Sequence, residues 1–131
     1  EGTATHGTEA AAAEATDAFE GARTAVQRFI NATMEGWSQY MRSQDIGAAN
    51  ALIKRDNPEM DDAKIAYAIR VMNEQGIVLS GDALQLGIGA MTDARWQSFY
   101  EGMRDAGVYP AGLDFKKAYS LDFVNKRVGL A

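Results

Sequence analysis

Three short stretches hold residues whose types and spacing could support chemistry. Gly87-Ile88-Gly89 stands just ahead of Thr92-Asp93-Ala94-Arg95, and glycine loops that run into a helix can present backbone amides to phosphate. The third glycine of a dinucleotide fingerprint is missing and no βαβ unit surrounds the loop, so tight backbone packing is favoured over nucleotide binding. Asp61 with Asp62, or Asp93 with Glu101, would be the carboxylates of a general acid and base. Acids at helix N-termini more commonly serve the helix dipole on a solvated face. Ser80 and Ser98 lack a G-x-S-x-G setting, and His6, the one histidine, falls in a leader without large apolar residues. Enzyme chemistry has no support in these residues, and the expectation is a non-catalytic protein.

Arg95 is the most informative charge. It follows Thr92-Asp93 at an expected helix start and could hold an anionic group through two parallel hydrogen bonds. A local pair with Asp93 or Asp82 is the favoured alternative, because exposed pairs of this kind form readily. Thr92, Asp93 and Arg95 are the candidate ligand-binding residues. The aromatic set Trp37, Tyr40, Trp96, Phe99 and Tyr100 could stack on a flat ligand, but at helical spacing a core role is favoured. Asn31-Ala32-Thr33 fits a glycosylation sequon, yet it falls inside a helical pattern where Asn31 is more simply a polar-face residue.

Composition narrows the classes. An apolar fraction of 47% with 24% charge excludes wholesale disorder in a chain of 131 residues. Eighteen acids against thirteen bases give a formal charge of −5, which argues against a nucleic-acid footprint. The charge is uneven: residues 1–62 hold 11 acids and 5 bases, and residues 63–131 hold 7 and 8. With no cysteine and a single histidine, neither a disulfide framework nor a structural zinc site is expected, and no EF-hand spacing occurs for calcium. No metal or cofactor is expected.

The elements that must position these residues read as helices. Residues 1–15 form an Ala-rich leader for which a frayed helical lead-in over Glu9 to Ala15, disorder and a non-native join all fit. From Phe19 to Met41, apolar residues recur at three- and four-residue steps, predicting a long amphipathic helix with Gly36 inside it. A second helix is expected over Gly47 to Arg55, capped by Asp45 and ended by Asp56-Asn57-Pro58. A third opens near Asp61, buries Ile65, Ile69 and Met72, and stops at Gly76. Ile77 to Gly89 fits either a short strand or an irregular packed loop. A fourth helix opens at the N-cap Thr92, ends at Gly107, and is followed by a turn at Tyr109 to Gly112. Two short helical turns are expected, over Phe115 to Tyr119 and Leu121 to Asn125. The fold class is therefore mainly α, with about four helices plus short C-terminal turns.

Four blocks in order, VQRFINATMEGW (Val26 to Trp37), ALIKRDNPEM (Ala51 to Met60), SGDALQLGIGAMTDARW (Ser80 to Trp96) and AGVYPAGLDFKKAYSLDFVNK (Ala106 to Lys126), carry a family resemblance. The chain from about Thr16 onward resembles the C-terminal part of ABC-importer solute-binding proteins, in the subgroup related to pyrimidine-precursor, alkanesulfonate, nitrate and taurine binding proteins. The resemblance implies a fragment of a two-lobed α/β fold that closes around a small molecule, with an incomplete ligand cleft here. It implies a small-molecule solute and a membrane permease as partners, and a periplasmic or extracytoplasmic location. In that setting Thr92, Asp93 and Arg95 would face ligand or the other lobe. A different class also fits: a self-sufficient helical interaction or homo-oligomerisation module in which the long first helix pairs with a copy of itself. Either way, self-association of the isolated chain is expected, because helix faces would be left uncovered.

Overall fold

The computed structural model describes the backbone of residues 3–130 and the side chains of residues 12–130, so His6 and the other side chains of the first part of the leader lie outside the described residues. The chain is mainly α, in the order α1 (Thr3–Arg42), α2 (Gly47–Asp56), α3 (Asp62–Glu74), α4 (Ala83–Leu86) and α5 (Asp93–Asp105), followed by a 3-10 turn over Phe115–Ala118. No strand occurs among the described residues. The segment Ile77 to Gly89 is irregular and contains the single helical turn α4, which gives five helices where the periodicity predicts about four.

Local chemistry explains most boundaries. Asp61 caps α3, its side chain accepting from the Lys64 amide at 2.8 Å, and Gly76 closes the helix at φ +59, a left-handed conformation that a Cβ disfavours. Gly107, at φ +73, does the same after α5. The expected cap Asp45 does not cap α2. Ile46 occupies that position without a side-chain cap bond, and Ser43 Oγ instead accepts from the Asp45 amide at 3.0 Å. Over Leu121 to Asn125 a single hydrogen-bonded turn forms, the Val124 amide donating to the Leu121 carbonyl at 3.4 Å, and it does not continue as helix: Asn125 adopts φ +62.

That tail organises the small core. The Ile88 amide donates to the Val128 carbonyl (3.0 Å) and the Arg127 amide to the Leu86 carbonyl (2.8 Å). Asn125 clamps Met91 from both sides, accepting from its amide at 3.1 Å and donating to its carbonyl at 2.7 Å. Ser38 Oγ, on α1, donates to the Gly129 carbonyl at 2.9 Å. Met34, Ile88 and Ser38 are buried where α1, the 86–91 segment and the tail meet, and Ile65 and Tyr100 are buried within α3 and α5. Ile69 and Met72, expected to share the buried face of α3, are only half-buried.

Gly87 is required by this crossing, and Gly89 holds a left-handed φ of +74 beside it. A Cβ on Gly87 would stand 2.8 Å from the Val128 nitrogen, one on Gly89 would stand 2.8 Å from Met34 Cε, and one on Gly129 would meet Ile88 Cδ1 at 2.7 Å. Gly87 serves close backbone approach, the role favoured from sequence, whereas Gly89 and Gly129 stand against the side-chain ends of Met34 and Ile88.

Much apolar surface remains uncovered. The accessible surface is 9610 Å², whereas a compact monomer of 131 residues exposes about 6,800 Å². Phe19, Phe29, Leu52, Tyr67, Ile77, Phe99 and Val108 are all exposed. These side chains are left without a covering partner among the described residues.

Candidate functional site

Helix α5 positions the three candidate residues. Thr92 is its N-cap, with Oγ1 accepting from the Arg95 amide at 3.3 Å, and the hydroxyl lies 3.5 Å from Asp82 Oδ2, to which it donates. Asp93, in the first turn, accepts a short hydrogen bond from the Tyr119 hydroxyl. That bond, and secondarily the loss of solvent around the ring and the nearby negative charge, pushes the Tyr119 phenol up to about 12. The Tyr119 ring stacks on Trp96, with centroids 4.7 Å apart and planes 2° from parallel. Tyr119 thus fastens the tail to the first turn of α5 at two points.

Arg95 does not form the local pair favoured from sequence. Among the described residues no carboxylate lies within ion-pair distance of it, and the acids expected to take it are bonded to hydroxyls, Asp93 to Tyr119 and Asp82 to Thr92. Its guanidinium instead lies over the Ser80–Asp82 turn, where a Cβ on Gly81 would be 3.7 Å from Nη1.

Arg95 stands between two grooves. One, of about 360 Å³, is lined by Ala90, Met91, Thr92, Arg95, Trp96 and Phe99 and is mostly apolar. The other, of about 200 Å³, is mostly polar and includes Ser80, Asp82, Gly89, Ala90 and Arg95. Both are open to solvent. The two share Ala90 and Arg95, and their other lining residues are held from behind: the Asn125 side chain bonds Met91, Met34 stands against Gly89, and Tyr119 stacks on Trp96. Together they offer one cation, a hydroxyl-bearing turn and an aromatic wall, an arrangement that can orient a small anion carrying an apolar group but lacks a lid.

The remaining candidates separate. Asp62 pairs with Lys54 Nζ at 2.6 Å while Asp61 caps α3, so both have structural work. Asp93 and Glu101 stand about 12 Å apart along the helix axis by their spacing, and Glu101 accepts from Gln97. Asn31 accepts from Gln27 Nε2 at 2.8 Å within α1. The core reading of the aromatic set holds for Tyr100 alone. Its hydroxyl donates to the Pro110 carbonyl and accepts from the Gly112 amide. Trp96 and Tyr40 are half-buried, and Trp37 and Phe99 are exposed, at 43% and 49%. Helical spacing marks an apolar face without indicating what covers it. Trp37 and Tyr40 line a third groove, of about 420 Å³, between α1 and α2 with Leu52 and Ile53.

Sequence reasoning missed Asn125 and Tyr119 as parts of the site, and set Asp82 against Arg95 where its partner is Thr92. Asn125 alone carried a usable signal, since asparagine tolerates the left-handed conformation better than other side-chain-bearing residues. No family model matches this chain, and neither a curated protein nor a solved structure matches it.

Proposed function

We propose that this chain is the C-terminal helical part of a non-catalytic solute-binding component of an ABC-type importer, holding one wall of a ligand cleft that is incomplete here. The observation that carries the reading is a set of uncovered large apolar side chains, Leu52, Tyr67 and Phe99 among them, in a chain whose total accessible surface is about 2,800 Å² above that of a compact chain of its size. These side chains stand on α2, α3 and α5, in faces of the kind that lie against a sheet in a layered α/β protein. The four-block family resemblance supplies the identity of that protein. The open, lidless grooves around Arg95 fit the same reading, because in a two-lobed binder the second wall comes from the other lobe.

The test joins two measurements. Sequencing the reading frame upstream of Glu1 should find the rest of two α/β lobes; a start codon immediately before Glu1 would overturn the proposal. The product of the whole frame should then be stabilised by a small organic or inorganic anion, by about 2.7 kcal/mol at one hundred times the dissociation constant. Arg95→Ala should weaken that response if Arg95 faces solute, while leaving unfolding within about 0.5 kcal/mol of the parent, as befits an exposed residue.

A further inference from the structure

From Ala12 to Ala22 every residue of α1 is exposed, because the last contacts between α1 and the tail are at Arg23, which pairs with Asp122 at 3.2 Å and stacks on Phe123. A helical projection of this length is marginal in water without a partner. It continues into a stripe on α1 that the tail does not cover: Phe19, Val26 and Phe29 are exposed at 59%, 43% and 73%. With Ala12, Ala15 and Ala22 they recur at alternating steps of three and four, the spacing of a helix-on-helix seam.

We propose that this stripe is a homodimer interface in which two α1 helices pack antiparallel, centred between Glu20 and Gly21. In that register every layer sets a large residue of one copy against an alanine of the second copy: Phe29 on Ala12, Val26 on Ala15 and Phe19 on Ala22. A flat partner such as a sheet would leave gaps beside the alanines, whereas a second helix at a close 8–10 Å separation fills them.

Charge chooses the direction. Glu14, Asp17 and Glu20 hold the acids of the 12–34 stretch, and Arg23 and Arg28 its bases, in two consecutive blocks. Antiparallel packing lays the acidic block over the basic block of the second copy and brings Arg28 level with Glu14; parallel packing lays like on like. Arg28, Glu14, Asp17 and Glu20 make no ion pair among the described residues, so these charges are available. Phe19 and Phe29, 59% and 73% exposed, together with Val26 and the alanines would bury no more than about 500 Å² per copy, short of the roughly 600 Å² per partner of a stable interface. The dimer is accordingly a weak, concentration-dependent one.

The chain has no cysteine, so single cysteines report geometry cleanly. In sedimentation the mass should rise toward twice that of the monomer with concentration, and Phe29→Lys should weaken association by about tenfold or more, with helicity unchanged because Phe29 is exposed in the monomer. Ala22→Cys, beside the dyad, should form a disulfide-linked dimer under mild oxidation, whereas Thr33→Cys, far from it, should not. A monomer at all concentrations, association indifferent to Phe29→Lys, or crosslinking of Thr33→Cys as readily as Ala22→Cys would each overturn the proposal. These readouts involve no solute, so they stand or fall apart from the transport reading.

Discussion

Replacing Gly87 by alanine tests how the core is assembled. Gly87 sits at φ 102 and ψ 166, a region essentially reserved for glycine, and entering it with a side chain costs about 1–3 kcal/mol. The new Cβ would also stand 2.8 Å from the Val128 nitrogen and 2.9 Å from two Arg127 backbone atoms. Backbone cannot swing aside as a flexible side chain can, so the tail must retreat. Retreat breaks the Ile88–Val128 and Arg127–Leu86 hydrogen bonds, each worth about 0.5–1.5 kcal/mol net. The combined loss is about 2–6 kcal/mol. Gly112→Ala is the control: its φ is +85, yet nothing lies within 4 Å of the added Cβ, so it should lose only the conformational term, about 1–2 kcal/mol. By thermal unfolding the two variants should differ by about 10 °C, and in Gly87→Ala the Ile88 and Arg127 amides should lose protection from hydrogen exchange. Equal midpoints for the two variants, with both amides still protected, would refute the claim that the tail crossing demands this glycine.

Removing the cap hydroxyl in Thr92→Ala should cost about 1 kcal/mol of unfolding free energy, read by denaturant titration, and should fray the first turn of α5 by exchange at the Arg95 amide. Asn125→Ala loses both bonds to Met91 and leaves a left-handed residue without its usual tolerance, a loss of about 2–4 kcal/mol measurable in the same titration. Tyr119 should titrate near 12 by tyrosinate absorbance, against an ordinary value of 10. Because its folded value is raised, the Tyr119–Asp93 contribution should be fully present below pH 10 and lost as pH climbs through about 12. Tyr119→Phe should abolish that alkaline sensitivity.

What could be read from sequence was whatever is fixed locally. Asp61 and Thr92 announce the starts of α3 and α5 because each cap bond spans three residues, and Gly76 and Gly107 announce the ends because only the local φ is at stake. The packing role of Gly87 and Gly89 was legible from the defects in the fingerprint, though not the partner they approach. Asn125 and Met91 are 34 residues apart, and no local pattern links them, so the tail reads as short helical turns until its crossing is seen. Arg95 was assigned to Asp93 or Asp82 by proximity in sequence, whereas Tyr119 and Thr92 bond those acids from elsewhere. Trp37 and Phe99 were assigned to a core by spacing alone, which defines a face and leaves its cover unspecified.

Covalent footprinting of the whole reading frame's product bears most directly on the proposed place of this chain in a larger binding protein. Side-chain oxidation of Leu52, Tyr67 and Phe99, exposed in this chain at 51%, 61% and 49%, would be compared between the isolated chain and that product. Burial of these faces by the remaining lobes predicts strong protection of all three in the whole product. Equal labelling of the three residues in both proteins would contradict it.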